Sequence, residues 1–329
     1  MSKQLMYVGV DVGKDEVWAT LATTKPKSFA QSTAGVQALR AWMKKNATGA
    51  RVHVCMEATG IYSQALALRL LTGADDLEVS IINPAQIKAF ARAQLRRTKT
   101  DQVDAAVILA FAETQTPRPW SPEPSALHTL SRLVAHRDAL TEDLRRWTNR
   151  QHAASCDPRV VQAVDRSQAA MVRILTRELT KIEQALAALM AAEPTLAEQR
   201  AVLQTIPGIG PVSSLELLAA AKGCLTARTS RQVTAHAGLA PAHHHSGSSV
   251  RGHSQIAKQG NVRLRTCLYM PVISAIRHNP VIRMFYQRLR TNGKPKKVAL
   301  IACMRKLLVI ARAILISKKP FDPAYQPLT

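Results

Sequence analysis

The 329-residue chain carries 45 Lys plus Arg against 22 Asp plus Glu, a formal excess of +23 with a pI near 10.5. Hydrophobic residues make up 47%, enough to build the cores of two or three domains and to exclude a wholly disordered chain. A cationic excess of this size marks a binder of nucleic acid or another anionic surface.

The excess is uneven: residues 201–329 hold 19 Lys plus Arg against only Glu216 and Asp322. No long uncharged apolar run is available to span a bilayer, and the N-terminus leads into a strand rather than a signal peptide. A soluble, cytoplasmic protein with no membrane partner is expected. Cys55, Cys156, Cys224, Cys267 and Cys303 are scattered with no Cys-x-x-Cys pair, which argues against a disulfide framework or a zinc site.

In chain order, Leu5 to Val12 is a β-rich apolar run, Gly13-Lys14 a turn, and Glu16 to Leu21 a second strand, together a hairpin. Asp11 inside the first strand is costly unless solvated, paired or bound to a cation; the plainer reading is a strand-end cap on the turn. A polar loop and a short helix around Gly35 to Lys45 come next. Arg51 to Met56 is another strand, ending in Glu57-Ala-Thr-Gly ahead of a helix over Ile61 to Leu71. Glu57 thus falls at the strand edge where open α/β sheets build sites. A third strand, Glu78 to Ile82, stops at Asn83-Pro84, and a helix from Ala85 to Ala93 leads into Arg-Arg-Thr-Lys-Thr-Asp-Gln-Val-Asp, residues 96–104.

If that segment opens a helix over Asp101 to Thr114, Asp101 and Asp104 project from one face, their roots about 5–6 Å apart. Thr100 followed by two acids and an alanine-rich run also describes an ordinary capped N-terminus. The two upstream acids favour a shared site. Arg96, Arg97 and Lys99 beside it are placed to hold a polyanion. Four convergent carboxylates without a soft ligand select Mg²⁺, with Mn²⁺ as a substitute, and suit in-line phosphoryl transfer. This is a ribonuclease-H-like plan.

Pro117, Pro119, Pro122 and Pro124 mark a linker. Two amphipathic helices follow, Leu127 to Trp147 and one whose Val172, Leu175, Leu179, Ile182, Leu186 and Leu189 form a short heptad seam. Either a hairpin within one chain or a dimer contact fits that seam; strand transfer generally needs more than one active site, which favours the dimer.

Pro207, Gly208 and Gly210 form a tight turn between helices, with backbone N–H groups able to receive a phosphate as in a helix-hairpin-helix, or simply an αα-turn. Ser246, Ser248 and Ser249 share a glycine-containing loop with Arg251, and Lys258 and Arg263 follow. Composition alone makes it a flexible turn, though small residues let a hydroxyl approach a phosphate beside an Arg. The consecutive His243, His244 and His245 cannot readily aim at one ion. Three apolar helical stretches complete the chain, with Lys294, Lys296 and Lys297 in a basic loop suited to clamp a backbone. Aromatics are only 4%, so phosphate contact rather than base stacking should carry affinity.

Val-Gly-Val-Asp11, Glu57-Ala-Thr-Gly, Thr-Asp101-Gln-Val-Asp104, Ile-Pro-Gly-Ile-Gly and Ser246-Gly-Ser-Ser-Val-Arg-Gly occur in this order along nearly the whole chain. In them the sequence resembles the DEDD-type insertion-sequence transposases of the IS110 family, relatives of the Piv site-specific invertase. The resemblance implies a RuvC-like α/β nuclease domain over residues 1–120, a helical, coiled-coil-like dimerisation segment over 121–199, and a mostly α transposase domain over 200–329. It further implies that Asp11, Glu57, Asp101 and Asp104 bind Mg²⁺ and that Ser246 forms a covalent phosphoserine link to DNA. Family members called bridge recombinases use a structured noncoding RNA to pair with donor and target DNA. Double-stranded DNA, such an RNA, and a homodimer assembling to a tetramer are the expected partners. The alternatives are an invertase without an RNA guide, a resolvase-like nuclease using water, and a non-enzymatic nucleic-acid scaffold.

Overall fold

β-branched residues alternating with small ones make Leu5–Val12 a strand that is covered on both sides, and it becomes the middle of a sheet. The computed structural model describes residues 5–47, 49–73, 76–95, 100–157, 159, 161–242, 245–246, 250–251, 255–256 and 259–324. The chain divides into two compact units, between Pro122 and Glu123.

The first unit contains β1 (Leu5–Val12), β2 (Glu16–Thr20), β3 (Lys27–Ala30), α1 (Thr33–Asn46), β4 (Arg51–Glu57), α2 (Ile61–Leu71), β5 (Leu77–Ile82), α3 (Pro84–Ala93) and α4 (Asp101–Gln115). Its five strands run in the order β3-β2-β1-β4-β5, with β1, β4 and β5 parallel and the β1–β2–β3 meander antiparallel. Val8, Val10 and Val12 point to one face and are buried in a cluster with Leu39, Met43, Leu66 and Leu70 from α1 and α2. On the other face Cys55 and Ile82 pack with Ile87 of α3 and with Val107, Ile108 and Phe111 of α4.

Two departures from the sequence reading occur here. The expected polar loop after β2 contains β3, an edge strand in which only Phe29 is buried, with Lys27 lying over its ring. One apolar side chain in a four-residue strand leaves no alternation to detect. The proline-rich stretch expected as linker is partly docked: the Trp120 N–H donates to the Val79 carbonyl at 2.7 Å, and the Ser80 hydroxyl donates to the Arg118 carbonyl at 2.6 Å.

The second unit is mostly helical. α5 (Ser125–Ser155) and α6 (Gln162–Ala192) pack along each other, and Leu175 and Leu186 of the heptad seam are buried within the single chain. α7 (Pro194–Gln204), α8 (Pro211–Ala221), α9 (Cys224–Ala227) and α10 (Ser230–His236) lead to four two-residue strands. These are β6 (Pro241–Ala242), β7 (His245–Ser246), β8 (Val250–Arg251) and β9 (Gln255–Ile256). α11 (Val262–Thr266), α12 (Tyr269–His278), α13 (Pro280–Thr291) and α14 (Lys296–Ser317) complete it. The first of the three expected apolar stretches is thus two helices, broken at Cys267 and Leu268. Leu203, Ile206, Leu217, Val272, Ile282, Leu307 and Leu308 share one core.

Candidate active site at the carboxyl edge of the sheet

Strand register brings the first two acids together. β1 and β4 are paired as far as Val10 opposite Met56, so Asp11 and Glu57 are the next residues of two adjacent parallel strands. Residues in register on parallel neighbours project to the same face. Gly9 lies on that face two residues before Asp11, and α4 lies directly on it. A Cβ at Gly9 would stand 2.3 Å from the Ala105 carbonyl oxygen and 2.5 Å from the Leu109 nitrogen. Glycine here permits backbone contact between strand and helix.

That contact sets the first turn of α4 beside Asp11. The Thr100 hydroxyl accepts from the Val103 N–H at 3.3 Å and the Thr100 carbonyl from the Asp104 N–H at 2.8 Å, fixing the helix start. The capping reading of Thr100 is therefore correct, and Asp101 and Asp104 occupy the first turn it caps.

Asp101 is exposed, whereas Asp11, Glu57 and Asp104 are half-buried. The Asp11 carboxyl is pushed up to about 6, chiefly by burial and then by the negative charges of Asp104 and Asp101. Glu57 adds to the rise, and a hydrogen bond from the Val12 backbone opposes it. The other three acids thus all act electrostatically on Asp11 at this edge. Among the described residues, no three His, Cys, Asp or Glu side chains are grouped closely enough to hold a metal ion.

An open cleft of about 530 Å³ adjoins the acids, lined by Asp11, Lys14, Asp15, Glu16, Trp18 and Asp101 among others. Sequence reasoning did not single out Lys14 or Trp18. The signal was the tight hairpin: a turn closed by Gly13 N–H to Glu16 carbonyl, 2.9 Å, sets Trp18 opposite Asp11 on β2.

The remaining predicted residues are distributed in the second unit or lie outside the described ones. Ser246 pairs with Val250, and His245 with Arg251, in a short antiparallel pair of strands. Pro241 opposite Ile256 and Ala242 opposite Gln255 form a second two-stranded sheet. Asn261 anchors the exit: its backbone N–H donates to the His236 carbonyl at 2.6 Å and its side chain to the Ala220 carbonyl at 2.8 Å. Arg96, Arg97, Lys99, Lys258, Ser248 and Ser249 lie outside the described residues.

Gly208, with φ of +108°, faces α12 so closely that a Cβ would meet the Ala275 nitrogen at 2.8 Å, so helix packing already explains it. Gly210 is open and precedes α8. Arg263 donates to Asp138 at 2.6 Å, and Asp138 also accepts from Arg137 at 2.8 Å. Lys294, Lys296 and Lys297 are exposed.

An acidic sheet edge in one unit and a strongly basic helical unit after it suit an enzyme that works on DNA strands, and the known relatives agree. The DEDD transposase model of IS110 matches residues 8–154, and the model described as transposase, IS116/IS110/IS902 family, matches residues 200–287. The pilin gene-inverting protein of Moraxella bovis is 31% identical over 321 residues, covering 96% of this chain and 97% of its own. The transposase for insertion sequence element IS1111A of Coxiella burnetii is 24% identical over 316 residues, covering 84% of this chain and 79% of its own. The chain belongs to the IS110 transposase family, and its substrate is DNA. No helix among the described residues is long and apolar enough to cross a membrane.

Proposed function

We propose that this transposase cleaves, exchanges and rejoins DNA strands through a phosphoserine link at Ser246, with the acids Asp11, Glu57, Asp101 and Asp104 holding the metal ion that the reaction needs. The observation that carries the reading is the crowding of like charge at the end of β1. An all-oxygen, net-negative donor set fits a hard divalent cation, and a cation would relieve the repulsion that raises Asp11. Mg²⁺, or Mn²⁺ in its place, would be held by these four carboxylates, and when bound it neutralises charge developing on a phosphoryl oxygen. Such a centre belongs to a ribonuclease-H/RuvC-like domain.

The Ser246 Oγ–P bond forms as the bond from phosphorus to the departing strand end breaks. The serine proton leaves as the released DNA hydroxyl takes one up. In rejoining, a DNA hydroxyl attacks phosphorus and Ser246 is regenerated. Guidance by a structured noncoding RNA from the same element belongs to this reading, supported by the family and by a +23 chain suited to hold RNA with DNA. A homodimer assembling to a tetramer supplies the several active sites that exchange requires.

Trapping on a nicked suicide duplex in Mg²⁺ tests the nucleophile. A covalent protein–DNA adduct from the wild type, absent in Ser246→Ala, is the expected result. Cleavage by an active wild type without any adduct overturns it in favour of water as nucleophile. The pilin gene-inverting relative, similar over nearly the full length, favours a second reading, inversion at fixed sites without an RNA guide. Exchange on a plasmid with inverted sites and no RNA would select it.

A further inference from the structure

Three arginines of the last helices donate to backbone carbonyls. The Arg283 guanidinium donates to the Arg277 carbonyl, Arg290 to the Lys294 carbonyl, and Arg312 to the Arg228 carbonyl at 2.7 Å. Arg288 on α13 and Lys306 on α14 differ. The Arg288 guanidinium carbon lies 5.3 Å from the centroid of the Phe285 ring and the Lys306 Nζ 4.6 Å from it. Neither cation makes an ion pair among the described residues.

Two cations are thus held on one aromatic ring with no counterion among the described residues. Burial, then the Arg288 charge, lowers the proton affinity of the Lys306 amine below its ordinary value, while Cys303 acts the other way. Few acids are available to neutralise the pair: of the two in residues 201–329, Glu216 is engaged with Arg137 at 3.1 Å, and Asp322 accepts from the Ala324 N–H at 2.8 Å.

Cation–π contact orients both groups and strips part of their water without neutralising them. An anion arriving at the pair gains from both charges and offsets their mutual repulsion. Guanidinium and ammonium are the two groups that best receive phosphate oxygens. We propose that Arg288 and Lys306, held on Phe285, form a backbone-phosphate site for a nucleic-acid duplex. It rests on the reading of this chain as an enzyme acting on DNA with an RNA partner, and it adds a contact that neither the sequence motifs nor the basic loop at Lys294 contains.

The experiment measures binding of full-length protein to labelled duplex DNA and, in parallel, duplex RNA over a salt series. Wild type is compared with Lys306→Met, which keeps the stem on the ring, and Arg288→Gln, at an exposed position. Each lost phosphate contact flattens the slope of log K against log salt by about one unit. The expected result is that flattening in each single variant, with a free-protein Tm unchanged or raised because a like-charge contact is gone. Flattening on DNA alone or RNA alone supports the site and identifies its strand. An unchanged slope on both duplexes overturns it, and a lowered Tm then assigns the pair to ordinary packing. A wild type that binds neither duplex removes the wider reading and this site together.

Discussion

The edge of the sheet and the face of α13 and α14 are built on the same device with opposite sign. At the first, carboxylates from β1, β4 and α4 are brought together until Asp11 resists ionisation. At the second, Arg288 and Lys306 share one ring until the lysine resists protonation. Each grouping disfavours the charged form of one member, and a partner of the other sign would offset that. The proposed roles follow from that sign. The acids suit a small cation that acts on a phosphoryl group, and the cations suit the phosphate backbone that must be held meanwhile.

Neutralising the acidic member should produce the largest effect. Asp11→Asn keeps the shape of the side chain and removes its charge, so DNA cleavage should fall by roughly 10³-fold, on the scale of losing a principal electrostatic group. Plasmid nicking in Mg²⁺ measures it. Activity close to wild type would leave the sheet edge a structural feature and end the comparison with the basic face.

A second substitution separates the charge from the scaffold that crowds it. Gly9→Ala introduces a Cβ that would stand 2.3 Å from the Ala105 carbonyl oxygen, a clash with backbone on a packed helix. Overpacking of this kind costs about 1–3 kcal/mol, a fall in Tm of roughly 2–12 °C. Cleavage should decline with it, because α4 carries Asp101 and Asp104 away from Asp11. A stable Gly9→Ala protein with full activity would show that close contact of strand and helix is not what assembles the acids.

The parts of this arrangement differ in how far local sequence reveals them. β1 is bounded as its apolar run suggests, α2 spans the expected Ile61–Leu71, and the start of α4 follows from Thr100 and its acids. These are periodicity and capping signals within a few residues. β3 has one buried side chain and gave none. The two-residue strands flanking Ser246 are too short for alternation to register, so composition suggested a flexible turn where paired backbone occurs. The approach of Asp11 and Glu57 depends on the register of Val10 with Met56, a non-local pairing that no nearby residue encodes. The glycine in Val-Gly-Val-Asp was visible, yet its meaning required the helix that lies on it. Arg288 and Lys306 meet only because α13 packs on α14.

The smallest expected effect tests whether crowding at Asp11 is energetic as well as geometric. Its carboxyl has a folded value of about 6 against an ordinary 3.8, so the fold disfavours the charged form. Above pH 6 the carboxylate is ionised in both states and the folded state carries the full penalty. As pH falls through 6 the folded protein binds a proton first and the penalty is relieved, and below 3.8 both states are neutral. Without divalent cation, Asp11→Asn should therefore melt above wild type at pH 7, and the difference should shrink toward pH 4. Because Asp11 is only half-buried, solvent screening reduces the effect to about 1 kcal/mol, roughly 2–4 °C. Adding Mg²⁺ should raise the wild-type Tm and narrow the gap, since a cation bound by carboxylates substitutes for the proton. A gap of the opposite sign, or one indifferent to both pH and Mg²⁺, would mean that Asp11 is well solvated. The acids would then be neighbours without strain, and like-charge crowding would be confined to the basic face.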